Sequence, residues 1–336
     1  MSLSVAVIGG GSWGTTVAHL AAHQVPTVLW ARREDLADEI NQQHSNERYL
    51  PGYKLHPALR STSDLAEAVQ QADVLVMGVP SQGFRSALEQ VAPFVRAWVP
   101  VVSLTKGLEE GTRLRMTQLV NEVLPGHTAA VLTGPNLAKE ILAGHAAAAV
   151  IATPDPVVAD CLQRIFHMKL FRIYTNPDVI GCEIAGALKN VIAIAAGMAD
   201  GLGAGDNTKS AVITRGLAEL SRLGVAMGGH FETFAGLAGM GDLLATSMSQ
   251  QSRNRFVGEQ LGKGRSIDEI IAEMNMVAEG VKTSRVVMEL ADEFGVEMAI
   301  ASEVFAVCHG GSSAQDAYRG LIRMQPGGAE YPSLNF

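Results

Sequence analysis

The hexapeptide Gly9-Gly10-Gly11-Ser12-Trp13-Gly14 constrains the fold of this chain more than any other stretch. It follows the β-rich run Leu3–Ile8 and precedes Thr15–Gln24, which can be helical, so Gly9, Gly11 and Gly14 form G-x-G-x-x-G at a strand-to-helix turn. Gly9 permits the tight turn, Gly11 lets the backbone approach a pyrophosphate, and Gly14 lets the helix pack closely on the sheet. The N-terminus of that helix offers unpaired N–H groups and partial positive charge to a diphosphate. The three glycines alone are weak evidence. A strand before them, a helix after them and a second β-rich run, Thr27–Trp30, supply the context that a dinucleotide site requires.

The rest of the first half repeats this alternation. Further strands are expected at Val74–Val79, Pro100–Leu104, Ala129–Leu132, Ala148–Ala152 and Phe171–Tyr174, with helices at Asp64–Gln71 and Phe84–Val95. Near-continuous apolar strands separated by helices imply a parallel sheet covered on both faces, an α/β doubly wound fold of the Rossmann type. Beyond about residue 180 the texture changes. Ile184–Ala199, Ser210–Leu223, Ser252–Leu261, Ile267–Met274, Thr283–Phe294 and Ile300–Val307 read as helices, and no alternating strand pattern interrupts them. The expected division is a dinucleotide-binding domain over 1–180, a helical substrate domain over 181–324 and a loose tail over 325–336, rich in Pro, Gly and Ser.

The end of the second strand bears on the cofactor. An acidic residue there would bind a ribose 2′-hydroxyl, but the sequence has Arg32 and Arg33, which suit a 2′-phosphate and stacking on adenine. NADP(H) is compatible with them; the plainer reading makes both arginines solvated charges at a helix start.

Candidates for chemistry follow in order. Lys106 follows the fourth apolar strand, at the carboxyl end of a parallel strand, where open α/β sheets bind ligands. Lys189 lies in an otherwise apolar helix, where burial lowers an ammonium pKa toward a useful acid–base range. Its alternative is a lysine snorkelling from the helix edge. Asp242 stands in the glycine-rich turn Gly239-Met240-Gly241-Asp242, able to orient a lysine, and Ser252-Arg253-Asn254 offers a hydroxyl, a cation and free N–H groups to a phosphate. Each of these last two also fits a plain capping turn.

Other classes are disfavoured. The formal net charge of -8 argues against a general affinity for nucleic acid or anionic membrane. Of the nine histidines only His19 and His23 stand in H-x-x-x-H, and they lack the Glu of H-E-x-x-H, so no metal site is expected. Cys161, Cys182 and Cys308 lack C-x-x-C spacing, give no catalytic cysteine signature and read as small reduced thiols. The N-terminus has no basic n-region, and apolar runs such as Ala146–Ala152 fall well short of the roughly 20 residues a membrane span needs. A cytoplasmic protein is the expectation.

Taken together, these motifs resemble bacterial-type NAD(P)-dependent glycerol-3-phosphate dehydrogenase, from Val5 to about Arg323. The resemblance is carried by the glycine turn, Thr105-Lys106-Gly107-Leu108-Glu109, Gly134-Pro135, Ala138-Lys139-Glu140, Leu188-Lys189-Asn190-Val191-Ile192-Ala193, Gly241-Asp242-Leu243 and Ser252-Arg253-Asn254-Arg255. It implies a helical second half like that of 6-phosphogluconate dehydrogenase. It implies that Lys189 exchanges a proton at the substrate C2 oxygen with Lys106 beside it, and that Asp242, Asn190 and Thr246 position Lys189 and substrate. It further implies that Ser252, Arg253 and Asn254 hold the substrate phosphate, and that Gly134 and Asn136 touch substrate, Asn136 standing where the family usually has Ser or Thr. Cofactor contacts fall, by the same resemblance, on Ser12, Trp13, Arg32, Lys106, Ala138, Arg253, Val277 and Glu279. The implied reaction is reversible reduction of dihydroxyacetone phosphate to sn-glycerol 3-phosphate with NADP or NAD, feeding glycerophospholipid synthesis, in a protein expected to form a homodimer. Two rivals remain: a related dehydrogenase acting on a hydroxy acid such as 6-phosphogluconate, and a non-catalytic NADP(H) sensor on the same fold.

Overall fold

The computed structural model describes residues 3–274 and 278–323, with the side chains of 321–323 aside. Eight strands form one sheet: β1 Val5–Ile8, β2 Thr27–Trp30, β3 Arg60–Thr62, β4 Val74–Met77, β5 Val101–Ser103, β6 Ala129–Thr133, β7 Ala147–Ala152 and β8 Phe171–Asn176. Their order is β3-β2-β1-β4-β5-β6-β7-β8. The chain therefore reverses its direction of sheet growth between β1 and β4. The carboxyl ends of those strands open onto a crevice, where such sheets bind ligands. β1 and β4 are buried at every residue, which is why both are continuous apolar runs.

Seven helices accompany the sheet: α1 Ser12–Ala22, α2 Glu34–Gln43, α3 Leu65–Val69, α4 Phe84–Val91, α5 Met116–Val123, α6 Ala138–Leu142 and α7 Pro156–Phe166. Separate apolar cores fill its two faces, one built around Val17, Leu29, Leu162 and Phe166, the other around Leu75, Phe84, Leu88 and Leu119. Two expectations are corrected. β3 escapes the sequence pattern because Arg-Ser-Thr is a three-residue edge strand, of which Ser61 alone is buried, its hydroxyl donating to Leu29 O at 2.8 Å. The sheet is also not parallel throughout, since β7 runs antiparallel to β6. Gly134, with φ +120°, turns the chain at the end of β6, and the segment with α6 sends it back beside that strand.

The second half is helical, with no strand among its described residues: α8 Val179–Gly201, α9 Asp206–Ala226, α10 Phe231–Ala235, then a π-helical turn Leu237–Gly241, α11 Asp242–Met248, α12 Arg253–Gly262, α13 Ile267–Glu273, α14 Glu279–Phe294, α15 Ala299–His309 and α16 Ala314–Arg323. The tail expected at 325–336 lies outside the described residues. α8 is the axis. Every residue from Gly181 to Ala199 is buried, with α9, α11, α12, α14 and α15 packed around it. It is longer than the sequence pattern indicated and is long and apolar enough to cross a membrane, but 89% of its most apolar window is buried inside the protein. A helix surrounded by protein has no polar face to declare its ends.

Glycines set the contact between α8 and α12. A Cβ at Gly197 would overlap Arg255 O, and one at Gly258 would overlap Ile194 O. Backbone therefore touches backbone at this crossing, and the start of α12 is drawn close to the middle of α8. Gly258→Ala is expected to destabilise the protein by about 3 kcal/mol through overpacking, read as a lowered urea midpoint. Gly83, where an added Cβ meets nothing within 4 Å, is the control; Gly83→Ala should stay within about 0.5 kcal/mol of wild type.

Candidate active site

The glycine turn is built by exclusion of side chains. An added Cβ at Gly9 (φ +120°) would lie 2.5 Å from Gly78 O, and one at Gly14 would overlap Gly9 O. Gly78, absent from the motif, closes the same contact from the end of β4, since its Cβ would stand 3.1 Å from Gly14 Cα. Gly11 is different: a Cβ there meets nothing within 4 Å, so its backbone borders open space. Gly11 is also the N-cap of α1, with no side-chain cap and no acidic residue in the first turn. The donors of Ser12, Trp13 and their neighbours thus face that space as an anion-receptive end. Trp13 Nε1 is buried without a hydrogen-bond partner among the described residues, and its ring meets Phe171 edge-on. These features fit a dinucleotide diphosphate. α6, beginning at Ala138, packs against α1 beside the turn.

The two arginines after β2 part company. Arg33 joins Asp35 in a bidentate ion pair at the start of α2. Arg32 is exposed and has no ion pair among the described residues, so it alone of the two presents an uncommitted guanidinium.

Across the crevice, α8 carries Lys189, which is 4% exposed. Its Nζ lies 3.0 Å from Asp242 Oδ1 and donates to Thr246 Oγ1 at 2.5 Å, and that hydroxyl donates on to Asp242 Oδ1 at 3.3 Å. Asp242 and Thr246 stand one turn apart on α11, which makes the relay a local consequence of helix spacing. The π-helical turn before Asp242 brings the chain to that start, a use of π geometry common at functional sites. Lys106, from the loop after β5, places Nζ 2.7 Å from Asp242 Oδ2 and donates to Gly134 O at 2.8 Å. Two ammonium groups thus share one buried carboxylate, leaving net positive charge in a site of restricted hydration. Burial, with Lys106 and Arg253 adding repulsion, lowers the Lys189 pKa to about 8 against the attraction of Asp242.

Beside this cluster runs a chain of amides. Asn190 Nδ2 donates to Lys106 O at 3.0 Å, Asn254 Nδ2 donates to Asn190 Oδ1 at 2.9 Å, and Gly280 N donates to Asn254 Oδ1 at 3.0 Å. Asn190 is therefore tied to the Lys106 backbone and to Asn254. Ser252 caps α12, its Oγ accepting from Arg255 N at 3.2 Å, while Arg255 itself is held by Asp200 at 2.8 Å. Arg253 is left exposed near Glu279. Asn136, following Gly134 in the same turn, has both amide atoms buried and without a hydrogen-bond partner among the described residues, as expected of a group whose partner is a ligand. Val277 lies outside the described residues. Sequence reasoning missed Gly78 and Ser81, on the loop after β4. Their signal was present in Gly78-Val79-Pro80-Ser81, a Gly- and Pro-containing exit from an apolar strand.

Comparison with known proteins agrees with this geometry. Residues 4–159 match the N-terminal part of NAD-dependent glycerol-3-phosphate dehydrogenase and residues 178–319 match its C-terminal part. A glycerol-3-phosphate dehydrogenase of Sphingopyxis alaskensis named for NAD(P)+ is 59% identical over 332 residues, covering 99% of this chain and 100% of that protein. One of Mycobacterium avium is 58% identical, covering 96% and 95% respectively. The crystal structure of glycerol-3-phosphate dehydrogenase from Coxiella burnetii superposes with a TM-score of 0.91 at 35% identity, covering 96% of this chain and 99% of that one. The chain belongs to the NAD-dependent glycerol-3-phosphate dehydrogenase family.

Proposed function

We propose that the chain interconverts dihydroxyacetone phosphate and sn-glycerol 3-phosphate with NAD(P), and that Lys189 is its acid–base group. The observation that carries the second part is the buried Lys189–Asp242–Lys106 cluster at the crevice. When bound, the nicotinamide supplies the redox equivalent; the residues of the chain supply position, charge and a proton. In the reductive direction the Lys189 ammonium stabilises the alkoxide developing at C2 and then protonates it. Lys106 orients and polarises the same oxygen. Asp242 and Thr246 hold Lys189 in place, and Asn190 does so indirectly, through the loop that carries Lys106.

The net positive charge of the cluster favours a substrate carrying a phosphate. Ser252, Arg253 and the first N–H groups of α12, Asn254 among them, suit that phosphate, with Gly134 and Asn136 against the triose. Cofactor contacts are assigned to Gly9, Gly11, Ser12, Trp13, Gly14, Arg32, Lys106, Ala138, Arg253, Val277 and Glu279. Arg33 is assigned beside Arg32, its exposed pair with Asp35 being weak enough to open for a 2′-phosphate. This reading keeps the division at 1–180 and 181–324, places the protein in the cytoplasm as a homodimer, and makes it a source of the glycerol backbone for phospholipids.

Purified protein is expected to consume NADPH or NADH when given dihydroxyacetone phosphate; binding of cofactor without turnover would favour the sensor instead. Lys189→Ala should lower kcat by about 10³-fold while cofactor still binds. The sign of the pH dependence follows from a Lys189 pKa lowered to about 8. Reduction needs the ammonium, so its kcat/KM falls as pH rises through about 8; oxidation needs the neutral amine, so its kcat/KM rises through the same range. Asp242→Asn removes the one attraction opposing burial, so the reductive limb should move to lower pH. Breaking the buried pair should also cost about 3 kcal/mol in a urea titration. Arg32→Ala should raise KM for NADPH about tenfold, the loss of a charge-assisted hydrogen bond, and that for NADH less than about threefold.

A further inference from the structure

The carboxylate of Glu279, the first residue of α14, is gripped from the other half of the chain. Ser81 N donates to Oε1 at 3.2 Å and Ser81 Oγ donates to Oε2 at 2.5 Å, across 198 residues of sequence. Ser81 is 1% exposed and opens the short 3₁₀ turn Ser81–Gly83 after β4, so its N–H has no partner within that turn. Its hydroxyl is itself oriented. Gln82 Nε2 donates to Ser81 Oγ at 3.4 Å and to Leu108 O at 3.1 Å, which leaves the Ser81 hydrogen for Glu279. Gly107, next to Lys106, leaves room for the pair: a Cβ there would stand 2.8 Å from Ser81 Cβ and 3.2 Å from Glu279 Oε2.

We propose that Ser81 is a positioning residue for the cofactor, acting by holding the Glu279 carboxylate at the mouth of the dinucleotide crevice and away from Arg253. This rests on the reading of Glu279 as a cofactor contact. Glu279 lies between two demands. Arg253 attracts it on one side, and on the other the loops after β4 and β5 border the crevice. A glutamate has three freely turning torsions, and without a second tether the guanidinium would draw it across the space a ligand needs. The two hydrogen bonds from Ser81 use one lone pair on each carboxylate oxygen. The remaining lone pairs can accept from a donor of the bound dinucleotide, a ribose hydroxyl or a carboxamide NH₂. The next residue, Gly280, is bonded through its N–H to Asn254, so the first turn of α14 is fixed to both the cofactor side and the phosphate clamp. Preorganisation of this kind lowers the ordering cost of binding.

The experiment is a double-mutant cycle on the full-length protein, with NADPH affinity read from the fluorescence of the bound nucleotide in the absence of triose phosphate. Kd for NADPH is expected to rise about tenfold in Ser81→Ala, while the thermal midpoint and KM for dihydroxyacetone phosphate stay near wild type and kcat at saturating NADPH falls less than about threefold. Ser81→Ala combined with Glu279→Gln should bind NADPH no more weakly than Glu279→Gln alone. An unchanged Kd in Ser81→Ala overturns the proposal, as does full additivity of the two substitutions or a loss confined to thermal stability. Weakened binding in Ser81→Ala beside unchanged binding in Glu279→Gln overturns it too, by showing that Ser81 acts without Glu279. Absence of turnover in the wild type would instead overturn the underlying functional reading.

Discussion

Asp242 brings a single negative charge, 2% exposed, to a place where two ammonium groups arrive from different parts of the chain. Lys189 could not be held there as a cation without it, because an isolated buried ammonium sheds its proton or moves to water. The carboxylate therefore does two things. It keeps Lys189 close to a proton-exchanging range rather than far below it, and it ties Lys106 of the sheet half to α8 and α11 of the helical half. The site is a joint of the fold as well as its chemical centre, and a change in its charge is felt by both.

Backbone packing gives that joint its dimensions. Where α8 and α12 cross, glycine replaces side chains with direct backbone contact, and the phosphate clamp at the start of α12 stands at a set depth from Lys189. The amide chain from Lys106 through Asn190 and Asn254 to Gly280 continues the same linkage toward α14. On the cofactor side, Gly9, Gly14 and Gly78 let three backbone segments meet, while Gly11 is left facing open space.

Local signals were easiest to read. The strand–turn–helix at Gly9–Gly14, the runs at Thr27–Trp30 and Val74–Met77, and the change to helices near residue 180 each depend on residues within one window. Failures occurred where a window holds too little information. Arg60–Thr62 is too short and polar to announce an edge strand, and α8 is apolar on all sides, so its ends were drawn too far inward. Nothing near β7 states its direction, because direction follows from where Gly134 sends the chain and which strand edge is free to receive it. Lys106, Lys189 and Asp242 could each be singled out by type and setting, but the ion pairs among them could not, nor could the capture of Arg33 by Asp35.

The sequence by itself determined a dinucleotide turn at the head of a doubly wound sheet, a helical second half, and two lysines and an aspartate set apart from apolar or glycine-rich surroundings. Periodicity, turn chemistry and the cost of burying charge act over a few residues, and a single chain displays them directly. Only the tertiary structure decided that one carboxylate serves both lysines, that Arg32 rather than Arg33 is left uncommitted, that β7 runs against its neighbour, and that Ser81 meets Glu279. These depend on distances between residues remote in sequence, set jointly by the packing of every element between them, and no local pattern contains that sum.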